Sequence, residues 1–489
     1  MGIAARLIAV CLLAGITGCQ IGNHQETLAP DREASPPSAP SITAFLDTII
    51  QEWEGQAEFT SEFQRLTGTE LDIVQPPHQQ YNDRLLIQLA SGDLPDLCEV
   101  LPEYLPQLVS DGIARPLESY IASSSNLKSL RQGVIPSVTY RDGHVYGFPA
   151  RDGGGCVTYI RKDWLDNVGL PPPTDWKSFV QVLRAFTFND PDRNGKNDTY
   201  GYTDVQSASK DWYNRFVFLN AHVEVYYDGA HWVDGFSQSA TRQALERLRF
   251  LYEEGLIDPD FLTNNTFTAR NKFFNGEVGT FTYWANHWAR NLTERTQSTV
   301  GKGAEVIPIP AIAGARYIRR IGPLLVITSA AVDPVYVFHQ FIDRQYDKGA
   351  VQTLFTYGVE GYHWTKRGTA MRFLPNPEDP FKAEFTKAFV PPDSILNDWK
   401  RPMPLDPLVE PAIQILADNP YQERLPSGGE YYRKYFIELE RKLKPDIISR
   451  IVTGEYDIDA GLTLYRQRSA ELFVEKILAE MNKPSNDTT

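Results

Sequence analysis

The sequence predicts an α/β protein of two lobes joined by a hinge. Three observations carry that reading. The chain has 489 residues, more than one ordinary hydrophobic core takes up. Beyond its leader it alternates short apolar runs with helically spaced ones, strand, helix, strand, helix, the rhythm of a mostly parallel sheet covered by helices. Gly143 to Gly155 (GHVYGFPARDGGG) then breaks that rhythm with three consecutive glycines, which permit unusual backbone angles and close approach to a ligand, and marks a crossing between lobes.

The leader comes first. Arg6 gives a thin basic start, Leu7 to Ile16 is apolar, and the run is too short to span a bilayer permanently. Ile16-Thr17-Gly18-Cys19 resembles the lipobox of bacterial lipoproteins, which implies a lipoprotein signal peptide within residues 1–19, with Cys19 lipid-modified and left as the first mature residue. An ordinary secretory signal cut nearby is the alternative, and export is expected in either case. Residues 20–41 are polar and contain Pro30, Pro36, Pro37 and Pro40, the composition of a flexible tether. The net charge of −14 argues against a nucleic-acid partner. Cys98 and Cys156 lie in apolar, strand-like stretches and read as buried thiols; a disulfide cannot be placed from the sequence.

In the body, Glu58 to Leu66 is helical and stopped by Thr67-Gly68; Leu71 to Val74 is a strand; Leu85, Leu86 and Leu89 give Tyr81 to Ala90 a helical spacing; Leu97 to Leu101 is a buried strand. After the crossing, Val157 to Ile160 is a strand and Lys162 to Asn167 a short helix carrying Trp164, read as core. Thr174 is the expected N-cap of a helix with Trp176, Phe179, Val180 and Leu183 on one face, so Trp176 too reads as core. A further helix covers Thr241 to Glu254 and stops at Gly255. Phe273 to Trp288 holds a β-like run ending in two tryptophans. Ile321 to Thr328 is a buried strand and a second crossing, and Tyr431 to Met481 is helical by composition.

Asp190 to Tyr202 (DPDRNGKNDTYGY) places oxygen-bearing side chains at every second position around Gly195. Asp190, Asp192, Asn194, the Lys196 carbonyl and Asp198 match positions 1, 3, 5, 7 and 9 of an EF-hand loop, so Ca2+ is the expected cofactor. The closing Glu is replaced by Gly201, so the loop is truncated. A solvated Asp/Asn/Gly turn is the plain alternative.

Taken in order, these segments resemble the extracellular solute-binding lipoproteins of bacterial ABC importers, family 1, and within it the branch that serves oligosaccharides. The segments are Thr67-Gly68, Leu89 to Asp96, Val145 to Pro149, Arg161 to Leu165, Gly169 to Trp176, Asp190 to Tyr202, Gly255 to Pro259 and Tyr357 to Trp364. The resemblance implies a periplasmic-binding-protein-like fold of two α/β lobes with an interlobe cleft. Lobe one would be residues 42–150 plus about 320–395, and lobe two 151–318 plus about 396–489. It also implies a structural calcium in the loop of Asp190; Thr199 stands where some relatives carry a further acidic residue. The expected partners are an oligosaccharide and membrane permease subunits, for a monomer anchored by lipid to the outer face of the cytoplasmic membrane.

A sugar site needs aromatic platforms and polar groups that match hydroxyls. The densest candidate cluster is Tyr283, Trp284, Asn286 and Trp288; a second is Glu360, Tyr362 and Trp364; Trp53, Tyr81, Trp212 and Trp399 lie in polar surroundings; Arg151 and Asp152 lie on the first crossing. For each aromatic, packing in a core or between lobes is the alternative. A secreted carbohydrate-active enzyme is the rival function, but the sequence contains no G-x-S-x-G, H-E-x-x-H or G-x-x-x-x-G-K-[ST] motif. A sugar-sensing lipoprotein without a transport role would share the fold.

Overall fold

The computed structural model describes residues 40–47, 55–128, 135–150, 153–205, 219–367, 370–374 and 406–483. These residues belong to one compact unit that begins at Pro40. Its strands, in chain order, are β1 (Ser41–Phe45), β2 (Glu70–Val74), β3 (Leu97–Val100), β4 (Phe148–Pro149), β5 (Cys156–Arg161), β6 (Tyr200–Thr203), β7 (Val225–Tyr227), β8 (Trp232–Asp234), β9 (Val278–Trp284), β10 (Val306–Ile309), β11 (Ile318–Arg319), β12 (Leu324–Ile327), β13 (Trp364–Arg367), β14 (Ala370–Phe373) and β15 (Tyr421–Gln422).

The first sheet has the order β2-β1-β3-β12-β4. The helix Gln56–Thr67 joins β1 to β2 and the helix Tyr81–Ser91 joins β2 to β3. Both were legible, and Gly68 ends the first in the left-handed conformation at φ 74°. β1 is parallel to β2 and β3, whereas β12 is antiparallel to β3 and β4. The sheet is therefore mixed rather than mostly parallel. The reason is connectivity: β4 runs out toward the hinge and β12 comes back from it, so the two must point in opposite directions. As an inner strand β12 is buried at every residue, which is why Leu324 to Ile327 reads as unbroken apolar sequence. Phe59 and Phe63 meet Phe355 edge to face at centroid distances of 5.5 and 5.9 Å and seal the helices over this core.

The second sheet has the order β10-β5-β9-β6. β5 is antiparallel to both neighbours, and β6 is parallel to β9. Trp164 is fully buried and meets Phe186 edge to face at 5.4 Å, as its core assignment expects. The helix Trp176–Phe188 starts one residue later than expected. Asp175, not Thr174, is its N-cap, because Asp175 and Ser178 form a reciprocal capping box. Trp176 is only partly buried, packed against the core with the Arg247 guanidinium 4.9 Å over its ring. β9 ends at Trp284, and Trp288 opens the helix Trp288–Val300, so the two tryptophans belong to different elements. The helices from Glu430 to Met481 pack on this second core through Tyr432, Phe436, Ile447, Ile451 and Ile477. Cys98 and Cys156 are buried free thiols, and burial pushes Cys98 up to about 12.

Two large apolar cores result among the described residues, with a smaller cluster of Ile160, Trp164, Leu165, Val182, Phe186 and Ile309 beside the second sheet. One gathers residues of the first sheet, the other those of the second with the C-terminal helices. The chain passes between them at residues 153–155, just beyond Ala150, and at residues 318–323. Ala150 N–H donates to Pro323 O at 2.8 Å, and Arg320 N–H to Gly154 O at 2.9 Å. A third segment lies alongside: Tyr421 N–H donates to Tyr317 O at 2.8 Å and Glu423 N–H to Arg319 O at 2.9 Å. The glycines have a specific use here. A Cβ on Gly153 would stand 2.2 Å from Arg320 O, and one on Gly155 2.2 Å from Ile318 O. What they let come close is a neighbouring stretch of backbone.

Candidate functional site

A crevice, about 700 Å³ when the open solvent at its mouth is counted, lies against these crossing segments. Ile318, Arg320, Tyr421, Glu423 and Arg424 line it from the hinge; Tyr226 and Trp232 line it from the β7–β8 hairpin, with Glu224 just before β7; Phe436, Glu440 and Arg441 come from the C-terminal helices, and Glu103 from the 3₁₀ turn after β3. Groups from both cores therefore face one space. Ile318 and Tyr421 are partners across β11 and β15, and Arg320, Glu423 and Arg424 follow just beyond the ends of these strands.

Much of the wall is fixed by charge pairing. Arg441 reaches Glu103 at 2.5 Å, and Tyr432 Oη donates to Glu103 O at 3.2 Å, tying the C-terminal helices to the first core. Glu103 is only 3% exposed, so this pair is a buried link between the two halves. Glu440 accepts from Val225 N–H at 3.1 Å and pairs with the fully buried Lys444 at 2.7 Å; Lys444 also lies 3.0 Å from Asp234. Burial alone would depress the Lys444 ammonium, but the charges of Glu440 and Asp234 outweigh it and raise the pKa. Glu224 meets His222 Nδ1 at 3.0 Å. Burial pushes the Glu224 carboxyl up, yet the hydrogen bond and charge of His222 prevail and hold it below the usual range. His222 itself stacks on Tyr226 at 4.4 Å and leans on Tyr421 at 4.5 Å. The arrangement offers flat aromatic surface beside fixed carboxylates and guanidinium groups, which is what a polyhydroxylated ring requires.

The predicted site residues fare differently. Trp284 is partly exposed, with Arg320 of the crevice 5.4 Å over its ring, so this cluster borders the crevice through Arg320. Trp288 is held by Arg270, 4.4 Å over its ring, and meets Tyr283 edge to face at 5.1 Å. Tyr283 is buried and accepts from Arg270 at 3.1 Å. Asn286 uses its side-chain oxygen to accept from Trp288 N–H at 3.1 Å, a turn-capping role. Tyr81 is a correction: it is 2% exposed, and its hydroxyl donates to Phe45 O and Glu99 O at 2.9 and 2.7 Å, so it is a core residue of the first sheet. Trp364 is a second correction: it is 3% exposed, with its indole N–H donated to Gly358 O at 2.9 Å, so neither face is open to a sugar. Tyr362 packs beside His363 at 4.8 Å, and Glu360 is exposed, 3.3 Å from Lys366. Cys19, Trp53, Arg151, Asp152, Trp212 and Trp399 lie outside the described residues.

The sequence reading missed Tyr226, Trp232, Arg320, Tyr421 and Arg424. Their only signal was apolar-to-polar alternation over two or three residues, too brief to separate from a loop.

In the loop of Asp190, the side chains gather round Asn194. Its Nδ2 donates to Asp192 at 2.9 Å and Asp198 at 3.1 Å, while Asp190 accepts from the backbone N–H of Asn194 at 2.9 Å and of Gly195 at 3.0 Å. Gly195 takes φ 84°, the sharp turn the motif requires. Partial burial and the neighbouring Asp190 and Asp198 carboxylates raise the Asp192 pKa, a cost that a cation would relieve. Among the described residues, no group of three His, Cys, Asp or Glu side chains is placed to hold a metal ion. The donor set, three carboxylates and an amide oxygen on a Gly turn, nevertheless fits a hard cation. Thr199 turns away from it: its hydroxyl donates to Phe186 O at 2.7 Å and ties the loop to the preceding helix.

Two α/β lobes, a hinge of adjacent extended segments and a crevice between the cores define a two-lobed binding protein. Residues 40–359 match the family model of the bacterial extracellular solute-binding proteins, and the chain belongs to that family, whose members bind solutes rather than transform them. It is 25% identical over 471 residues to the polygalacturonan/rhamnogalacturonan-binding protein YtcQ of Bacillus subtilis (strain 168), covering 92% of this chain and 86% of that one. In three dimensions it is similar to the alginate-binding protein AlgQ2 solved without calcium ion (TM-score 0.72, 19% identity, 92% of this chain and 98% of that one). It is likewise similar to an EF-hand mutant of the Streptococcus pneumoniae ABC-transporter substrate-binding protein FusA in complex with fructo-nystose (TM-score 0.63, 17% identity, 90% and 97%).

Proposed function

We propose that this chain is the oligosaccharide-capturing component of a bacterial ABC importer. The observation that carries the reading is the crevice itself: Glu103 from one core and Tyr226, Trp232, Phe436 and Arg441 from the other face one space across the hinge. Relatives named for binding polygalacturonan, alginate and fructo-nystose support a sugar ligand. A ligand that touches both lobes favours the closed arrangement by its differential affinity, and the closed form docks on the permease. Lobe one is residues 42–150 plus about 320–395, and lobe two 151–318 plus about 396–489. Cys19 carries the lipid that holds the protein at the outer face of the membrane. Trp284 stacks on the sugar.

Asp190, Asp192, Asn194, the Lys196 carbonyl and Asp198 hold a calcium ion, which when bound neutralises crowded carboxylates and clamps the loop. Its place after the helix Trp176–Phe188, tied there by Thr199, makes it a structural clip of lobe two.

One thermal-shift screen tests the reading. Oligosaccharides, peptides and polyamines are compared, each with calcium and with chelator. An oligosaccharide at a hundred times its Kd should stabilise the protein by about 2.7 kcal/mol, and calcium should raise the baseline midpoint. Stabilisation by peptides alone overturns the sugar assignment; a midpoint indifferent to chelator overturns the calcium assignment.

A further inference from the structure

The charges in the crevice are not all alike. Glu103 is engaged by Arg441, Glu440 by Lys444 and Glu224 by His222. Glu423 turns its carboxylate back into the hinge, where it accepts from Ile321 N–H at 2.9 Å. Arg424 is different. Among the described residues no carboxylate pairs with it, and its guanidinium lies 4.0 Å over the Tyr227 ring, at the mouth of the same crevice. A guanidinium that rests by its face on a ring keeps its in-plane N–H donors available to a ligand. Those donors form a fork that matches a carboxylate in two parallel hydrogen bonds. Arg320, over Trp284, adds a second guanidinium on the same lining.

We propose, resting on the oligosaccharide reading above, that the crevice selects acidic oligosaccharides, and that Arg424, held flat by Tyr227, is the residue that reads a sugar carboxylate. The acidic groups of the wall are compatible with this choice because the three that pair with a cation are already engaged. The neutral rings of such a chain would lie on the aromatic surface of Tyr226, Trp232 and Tyr421, while Arg424 distinguishes a uronate from the corresponding neutral sugar. A lysine at this position would keep the charge but lose the fork and the stacking.

The test is isothermal titration of the full mature chain with a galacturonate trisaccharide, the same trisaccharide with its carboxylates reduced to alcohols, and a neutral fructan trisaccharide. The wild type should prefer the acidic trisaccharide over its reduced form by about tenfold to a hundredfold, the effect of one charge-assisted pair. In R424Q that ratio should fall close to one, and in R424K it should take an intermediate value; denaturation midpoints check that both variants fold. Equal affinity of the wild type for the acidic and reduced forms, or a ratio unchanged in R424Q, overturns the proposal. Binding of the fructan alone overturns it while leaving the oligosaccharide reading in place. Binding of none of the three, with peptides still bound, brings down both.

Discussion

Two aromatic turns that look equivalent in the sequence do different work. Tyr283 to Trp288 and Glu360 to Trp364 are both short, polar-flanked and rich in rings. In the first, Trp284 stays partly exposed beside Arg320 at the crevice. In the second, the chain folds back so that Trp364 gives its N–H to Gly358 O and is sealed at 3% exposure, while His363 Nδ1 accepts from Val359 N–H at 2.9 Å. The difference lies in what happens to the polar edge of the ring. A tryptophan whose N–H is already donated to its own turn has been recruited as a plug. One that rests under a guanidinium at a cavity edge stays partly exposed.

The largest expected effect tests the plug. W364A should cost about 3–5 kcal/mol of folding stability in a denaturant titration, because it removes a buried indole and leaves Gly358 O without its donor. A loss below about 1 kcal/mol would erase the distinction between the two turns. W284A comes next and should act on binding instead, weakening the oligosaccharide by about 1–3 kcal/mol while moving the denaturation midpoint less than W364A does. Unchanged affinity would remove Trp284 from the site. The smallest effect concerns pH on the crevice side. The folded pKa of Glu224 is lowered, so its stabilisation is present above the ordinary carboxylate pKa and is lost as the pH falls through the lowered value. Between about pH 6 and 3, E224Q should therefore lose a smaller share of its stability than the wild type, by on the order of 1 kcal/mol for one charge-assisted bond. Parallel curves would show that the His222 contact contributes nothing.

Most of the architecture was legible because long elements advertise their period. The apolar stripe from Ala244 to Leu251 and the stop at Gly255 (φ 67°) placed one helix within two residues. The loop of Asp190 was legible as a motif, since alternation of oxygens around a glycine needs no tertiary context. The mixed sheet was not, because the direction of β12 depends on where the chain re-enters after passing through the other lobe. The crevice was least legible. β11 and β15 are only two residues long and lie more than a hundred positions apart, so nothing local to Arg320 or Tyr421 signals their meeting. Tyr81 shows the opposite failure: its polar neighbours suggested a surface, but its helix turned it inward, where Phe45 O and Glu99 O accept its hydroxyl.

The glycines of the hinge have a mechanical consequence. With Gly153 and Gly155 pressed against residues 318–322, and residues 421–423 bonded along the other side, the connection is a strap of three plies rather than separate cords. Hydrogen bonds between plies resist sliding, so such a strap flexes across its width more readily than it shears or twists. On the proposed reading, a strap of this kind would favour a swing of one half toward the other over sliding between them, so that a ligand would be gripped along its length at once.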